Sequence, residues 1–193
     1  RLAFELLVIF VGITAAFAAE NYRESIERRA RARQFYRAIL GELDVFIGPA
    51  GAIADTMTAR LARFASDSAA GRRVAPPYFR EPGGERPPSA VWDAAVTSGA
   101  FTYLRPELYF QLARVYNHIR SIGDRYQRYN GFTEQTLLPA LATPDNFYVG
   151  GALRGDVRGH VGRLAELRDE LRTAAASARV TRDSVRAELS RLD

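Results

Sequence analysis

The sequence predicts an all-α fold: an N-terminal transmembrane helix that continues into an antiparallel helical bundle with a long C-terminal helix. Three observations carry this. Residues Leu2 to Ala19 hold a single charge, at Glu5, and are apolar on every other face except at Gly12 and Thr14, whereas a core helix of a globular protein shows a polar stripe. From about Gly155 to Leu192 no proline occurs, and Val157, Leu164, Leu171, Ala178, Val185 and Leu192 recur at intervals of seven, the repeat of a helix packed lengthwise on another. No segment shows the alternation of a half-buried strand.

The opening run comes first. Helical residues 2–19 span roughly 27 Å at about 1.5 Å each, close to a hydrocarbon thickness of about 30 Å. Ala16 and Ala18 would suit a signal-peptide cleavage site, but the run is retained in the chain, which favours a span. Arg1 rather than Met opens the sequence, so further residues are expected upstream. Gly12 and Ala16, with Ala15 and Ala19 alongside, give the span a thin face suited to a neighbouring helix. Glu5 would lie near the first turn, where a carboxylate faces protein, water or a cation, or snorkels to the interface. The expected membrane-helix contacts are therefore Glu5, Gly12, Ala16 and Ala19.

Past the run come Arg23, Arg28, Arg29, Arg31, Arg33 and Arg37. By the positive-inside rule they hold this side in the cytoplasm, and Arg23, Arg28, Arg29 and Arg31 are expected against anionic headgroups. A solvated helix face with pairs such as Glu24 with Arg28 and Glu27 with Arg31 is the plainer account, and both can hold at once. The chain so divides into an anchor, residues 1–20, and a helical extramembrane domain, residues 21–193.

The first helix is expected to run to about Ile47 and to end at "GPAG". A second, about Ala50 to Ser68, carries Ile53, Met57, Leu61 and Phe64 on one face and is expected to pack back on the first. A proline-rich loop, residues 71–88, follows; its prolines and glycines exclude a continuous helix. Tyr78 and Phe79 within it are candidate partner contacts. Ser89 is expected to cap "AVWDAAVTSG", which stops at Gly99, and Pro106 opens a longer helix whose Leu108, Leu112, Val115, Ile119 and Ile122 trace one face. Tyr103 and Tyr109 belong to an aromatic-rich stretch and are the other candidate partner contacts. A shorter helix "TEQTLLPALA" and a loop "TPDNFYVGG" lead to the last helix, whose likeliest neighbour is the first.

Composition excludes whole classes of chemistry. With no cysteine there are no disulfides, thiolate zinc sites, iron–sulfur clusters or Cys nucleophiles. His118 and His160 lack a second ligand at metal spacing and read as helix-surface or interface residues. No nucleophile-elbow, Walker or Rossmann pattern occurs, so no catalytic residue, metal or cofactor is expected. All 27 basic residues are arginine and the net charge is +5, which an Arg-rich genome explains without function. Tyrosines beside arginines in "GDRYQRYNGF" would suit nucleic acid, but the anchor and 22 acidic residues oppose it.

The order of motifs resembles an uncharacterised bacterial family of single-span membrane proteins. "FELLVIFVGITAAFAAENYRESIERR" is similar to its span and the segment that follows, through Glu5, Gly12, Asn21, Tyr22 and Glu24. "AVWDAAVTSGAFTYLRPELYFQLARVYNHI" is similar through Trp92, Ser98, Gly99, Glu107, Leu108, Tyr116 and Asn117. The resemblance covers residues 4 to about 122 and departs at "AAFAA", where the family often has a polar end to the span. It implies a membrane-anchored helical domain, expected in the bacterial inner membrane, and no established activity. The expected function is a non-catalytic scaffold or accessory subunit of a larger membrane complex, a respiratory or photosynthetic one being a reasonable host. Its partners would be membrane lipids and other membrane subunits, with no nucleic acid and no small-molecule substrate. The alternative is a membrane-anchored sensor or signalling module.

Overall fold

The computed structural model describes the backbone over residues 2–80 and 87–192, and side chains from Phe10 onward within those ranges. It is helical throughout its main elements: α1 (Leu2–Ala69), α2 (Ala90–Ser98), α3 (Pro106–Phe132) and α4 (Gly155–Leu192). A two-residue-pair hairpin, β1 (Tyr148–Val149) with β2 (Ala152–Leu153), turns the chain into α4. Sequence alternation gave no sign of it, because the turn is made by Gly150 and Gly151, both at positive φ, rather than by strand propensity.

The first helix does not end at "GPAG". Pro49 lies inside α1, and the residues once expected to fold back as a second helix extend the first in the same direction. A proline inside a helix removes one backbone donor and costs about 3 kcal/mol. Burial offsets that cost here, since Phe46, Ile47, Ala50, Ala54 and Met57 on both sides of Pro49 are all buried. What packs back on α1 is α4, running antiparallel: Arg33 donates to the Leu192 carbonyl at 2.9 Å, Arg182 reaches Asp44 at 3.3 Å, and Arg172 reaches Asp55 and Thr58 at 3.0 Å. The heptad expected of α4 is buried: Leu164, Leu171, Ala178 and Val185 face this seam, and Val157 packs on Leu137 and Phe147 instead.

α4 reaches Arg33 at Leu192, the last of its described residues. Among the described residues, Ala32 is the first that is buried. Residues 10–31 therefore project as a single helix of about 33 Å at about 1.5 Å per residue. Among the described residues no helix is long and apolar enough to cross a membrane. The expected transmembrane helix is thus not seen as such; its first half, Glu5 included, lies outside the described side chains.

The proline-rich loop is packed where it is described. Pro76 and Pro77 are buried, and the Tyr148 hydroxyl donates to the Val74 carbonyl at 2.8 Å while accepting its N–H at 3.2 Å. Pro87 lies so close to α3 that a Cβ on Gly123 would stand 3.1 Å from its ring. Residues 81–86 of the expected loop lie outside the described residues. The segment expected as a short helix, 133–142, continues α3 instead as a π-helical turn, Thr133–Leu137, and a 3-10 turn, Leu138–Ala140.

Candidate functional site

Two surfaces and two buried polar clusters stand out. The first surface is the projecting stem of α1. Phe10 is 71% exposed and Phe17 67%, and Val11 and Ile13 are exposed as well. Gly12, Ala16 and Ala19 lie on this stem with no neighbouring element beside them; a Cβ on Gly12 would meet nothing within 4 Å. Arg23, Arg28, Arg29 and Arg31 are exposed farther along it. Arg31 pairs with Glu27 at 3.1 Å and Arg23 with Glu20 at 3.2 Å. Arg28 and Arg29 make no ion pair among the described residues, so the expected Glu24 to Arg28 pair is absent there. Their free guanidinium groups remain available to anions.

The second surface is aromatic. Tyr109 sits 5.5 Å from Phe101, 5.5 Å from Phe110 and 5.7 Å from Trp92, centroid to centroid. Phe110 is 64% exposed, and Phe101 and Val96 are exposed too. Tyr103 lies at the edge of this flank, its carbonyl facing the Tyr36 hydroxyl at 3.4 Å, which fixes the flank at the end of the bundle from which the stem emerges. The structure so brings Tyr103 and Tyr109 together and adds Phe101 and Phe110.

Tyr78 and Phe79 are elsewhere, beside Arg60, Tyr126 and Tyr129. The Arg60 guanidinium donates to the Tyr78 carbonyl and lies 5.8 Å over its ring. The Phe79 N–H donates to the Tyr129 hydroxyl at 3.1 Å. Both residues fasten the loop to the far end of the bundle, away from Tyr103 and Tyr109. Their aromatic character signalled burial as much as exposure.

Under the aromatic flank lies a buried carboxylate. Glu42 of α1 accepts the Val91 N–H at 2.8 Å, the Trp92 N–H at 3.1 Å and the Tyr116 hydroxyl at 2.8 Å. Free N–H groups at a helix start attract an anion, and here a residue from another helix supplies it. The expected cap, Ser89, makes no capping bond; its hydroxyl donates to Asp93 at 3.0 Å instead. Trp92 stacks on Tyr116 at 5.1 Å with 3° between planes. Burial, and then the Glu42 carboxylate, push the Tyr116 hydroxyl far above the usual phenol range, so it stays a donor.

The second cluster corrects the reading of His160 as a surface or interface residue. Its side chain is fully buried, stacked 4.0 Å from Tyr129 and 4.7 Å from Phe132. The Thr133 hydroxyl gives its proton to the Tyr129 carbonyl at 3.2 Å, which leaves it to accept from His160 Nε2 at 3.1 Å. The ring therefore carries its proton on Nε2, and Nδ1 has no hydrogen-bond partner. Burial, with a smaller push from the Arg163 charge, lowers His160 to about 4. His118, by contrast, is half-buried on α3.

These clusters are structural. Neither joins a nucleophile to a base, and among the described residues no three His, Asp or Glu converge on a metal position. What the molecule offers is surface: an apolar stem, free arginines along it, and an aromatic flank at its root. Comparison with known protein families, characterised proteins and solved structures gives no match to this chain.

Proposed function

We propose that the chain is a non-catalytic scaffold or accessory subunit, anchored in the bacterial inner membrane by one pass and tethering or stabilising a larger membrane assembly, with its bundle on the cytoplasmic side. The observation that carries the reading is the lone stem, whose large apolar side chains Phe10, Val11, Ile13 and Phe17 face outward with none of the described residues covering them. Removing such a side chain from water is worth about 1.5–3 kcal/mol, so the segment is served by a bilayer or by another span.

The aromatic flank supports a protein partner. Tyr36, which meets Tyr103, lies about 25 Å beyond Ala19 along α1 at about 1.5 Å per residue. Headgroups extend only about 5–8 Å past each side of the hydrocarbon, too short a reach for the lipid surface. A neighbouring subunit's extramembrane part is at the right height, and exposed rings of this kind are what such interfaces use. Arg23, Arg28, Arg29 and Arg31 sit lower on the stem, nearer the headgroups.

The test is purification from native membranes in mild detergent with mass spectrometry of co-migrating proteins. Stoichiometric co-migration with a defined complex, lost on Phe101→Ala with Phe110→Ala, is expected. Migration alone and monomeric would sink the reading. The unbroken run of α1 from the apolar segment to Ala69 favours a second reading, a sensor whose rod transmits a signal. It calls for a ligand on the bundle.

A further inference from the structure

We propose that the groove between α3 and α4, at the end of the bundle away from the stem, binds a soluble phosphate-bearing anion held by Arg128 and Arg163. The groove encloses about 400 Å³, ample for a phosphoryl group with a small ester body. Its floor is Tyr129 and Leu167, both buried. A wall of low polarity strengthens the field of the charges around it.

The case rests on which charges are already satisfied. Arg125 and Glu170 line the groove and close on one another as an ion pair. Elsewhere on α4, Arg168 pairs with Asp169, Arg172 with Asp55, and Arg182 with Asp44 and Asp183, while Arg158 and Arg179, which make no ion pair among the described residues, lie outside the groove. Arg128 and Arg163 make no ion pair or hydrogen bond among the described residues, although both line this one groove. Glu166 is the remaining carboxylate there, so two unmatched guanidinium groups face one unmatched acid. The surplus is positive, and planar forks on opposite helices suit a tetrahedral oxyanion better than a point cation would.

Position narrows the source of the phosphate. Arg172 bonds Thr58, and Arg163 lies farther toward the α4 start, hence past Thr58 along α1. Thr58 itself is about 58 Å beyond Ala19 at about 1.5 Å per residue. Headgroups around the chain's own stem are out of reach, which leaves a dissolved phosphate or phosphate monoester. Only this choice of source rests on the membrane reading; the groove and its charges do not.

Titration calorimetry on the full chain in detergent, with inorganic phosphate against chloride at fixed ionic strength, reads the site directly. Saturable binding is expected, weakened about tenfold or more by Arg128→Ala and by Arg163→Ala. Arg163→Lys should fall between, keeping the charge and losing the fork. Arg179→Ala, which removes an α4 arginine outside the groove, should bind as the parent does. Both groove arginines are exposed, so circular dichroism should report unchanged folding. No saturable heat, or equal binding by the Arg128→Ala, Arg163→Ala double variant, overturns the site. In nanodiscs of phosphatidylcholine with and without phosphatidic acid, equal phosphate affinity is expected; weaker affinity with phosphatidic acid would overturn the soluble source and leave a headgroup as the occupant.

Discussion

Replacing Glu42 tests whether one buried carboxylate holds the aromatic flank to the rod. Glu42→Ala strips the acceptor from the Val91 N–H, the Trp92 N–H and the Tyr116 hydroxyl together. A buried donor left without a partner costs about 1–3 kcal/mol. Three such losses, partly relieved by water reaching Val91, come to about 4 kcal/mol, a large part of a total stability of about 5–15 kcal/mol. Tyr116→Phe removes one donor and leaves the other two bonds intact, so about 1 kcal/mol is expected. Glu42→Gln keeps an acceptor but turns an amide NH2 toward donors, and should fall between. Trp92 is the only tryptophan and stacks directly on Tyr116, so its fluorescence during urea unfolding reads this cluster against circular dichroism for the whole bundle. Glu42→Ala within 1 kcal/mol of the parent, or an order other than Ala, Gln, then Tyr116→Phe, would refute the assignment of Glu42 as the cap of α2.

His160 makes stability depend on pH. The folded chain binds its proton only near pH 4, the unfolded chain near 6.5, so its contribution is complete above about 6.5 and drains away as pH falls toward 4, by at most about 3 kcal/mol. His160→Phe should flatten that part of a melting-temperature profile; an unchanged slope would show that another group carries it. Pro49→Ala should stabilise the protein by about 2 kcal/mol by restoring a helix donor, and a loss of stability in thermal melts would mean α1 depends on the proline. Gly99, at φ 74° with open space around its missing Cβ, should cost about 1 kcal/mol on change to Ala through backbone conformation alone. Gly99→Asn should recover much of that, and equal melting points for all three would count against a left-handed stop to α2.

What could be read in advance was local. The heptad of α4 is a repeat along one helix, and its buried side came out as the spacing implied. Gly99 as a stop and Pro106 as a start depend on backbone chemistry within a few residues. Pro49 was misread because the forces that keep α1 helical come from α4, more than a hundred positions away. The Glu42 cap lies 49 and 50 residues from the N–H groups it binds, and a single acidic residue in a helix carries no mark of such a partner. His160 read as superficial because no second ligand stands near it at metal spacing; its burial comes from Tyr129 and Phe132, which stack against it. Of the candidate surfaces, Tyr103 and Tyr109 were legible as aromatic excess, while Phe110 could have been found by asking which ring falls off the buried stripe of α3. Arg128 and Arg163 had no signal at all among so many arginines, since what sets them apart is that the fold brings both to one groove with no ion pair for either among the described residues.

The uninterrupted length of α1 turns small angles into large displacements. From Ala19 to Ala69 the helix measures about 75 Å at about 1.5 Å per residue, so a tilt of about 10° at the stem carries the opposite tip about 13 Å sideways. A jointed chain would absorb such a tilt at a hinge. This one has α4 laid along most of the same rod, so the arginine groove travels with the tip, and whatever grips the stem also aims the groove.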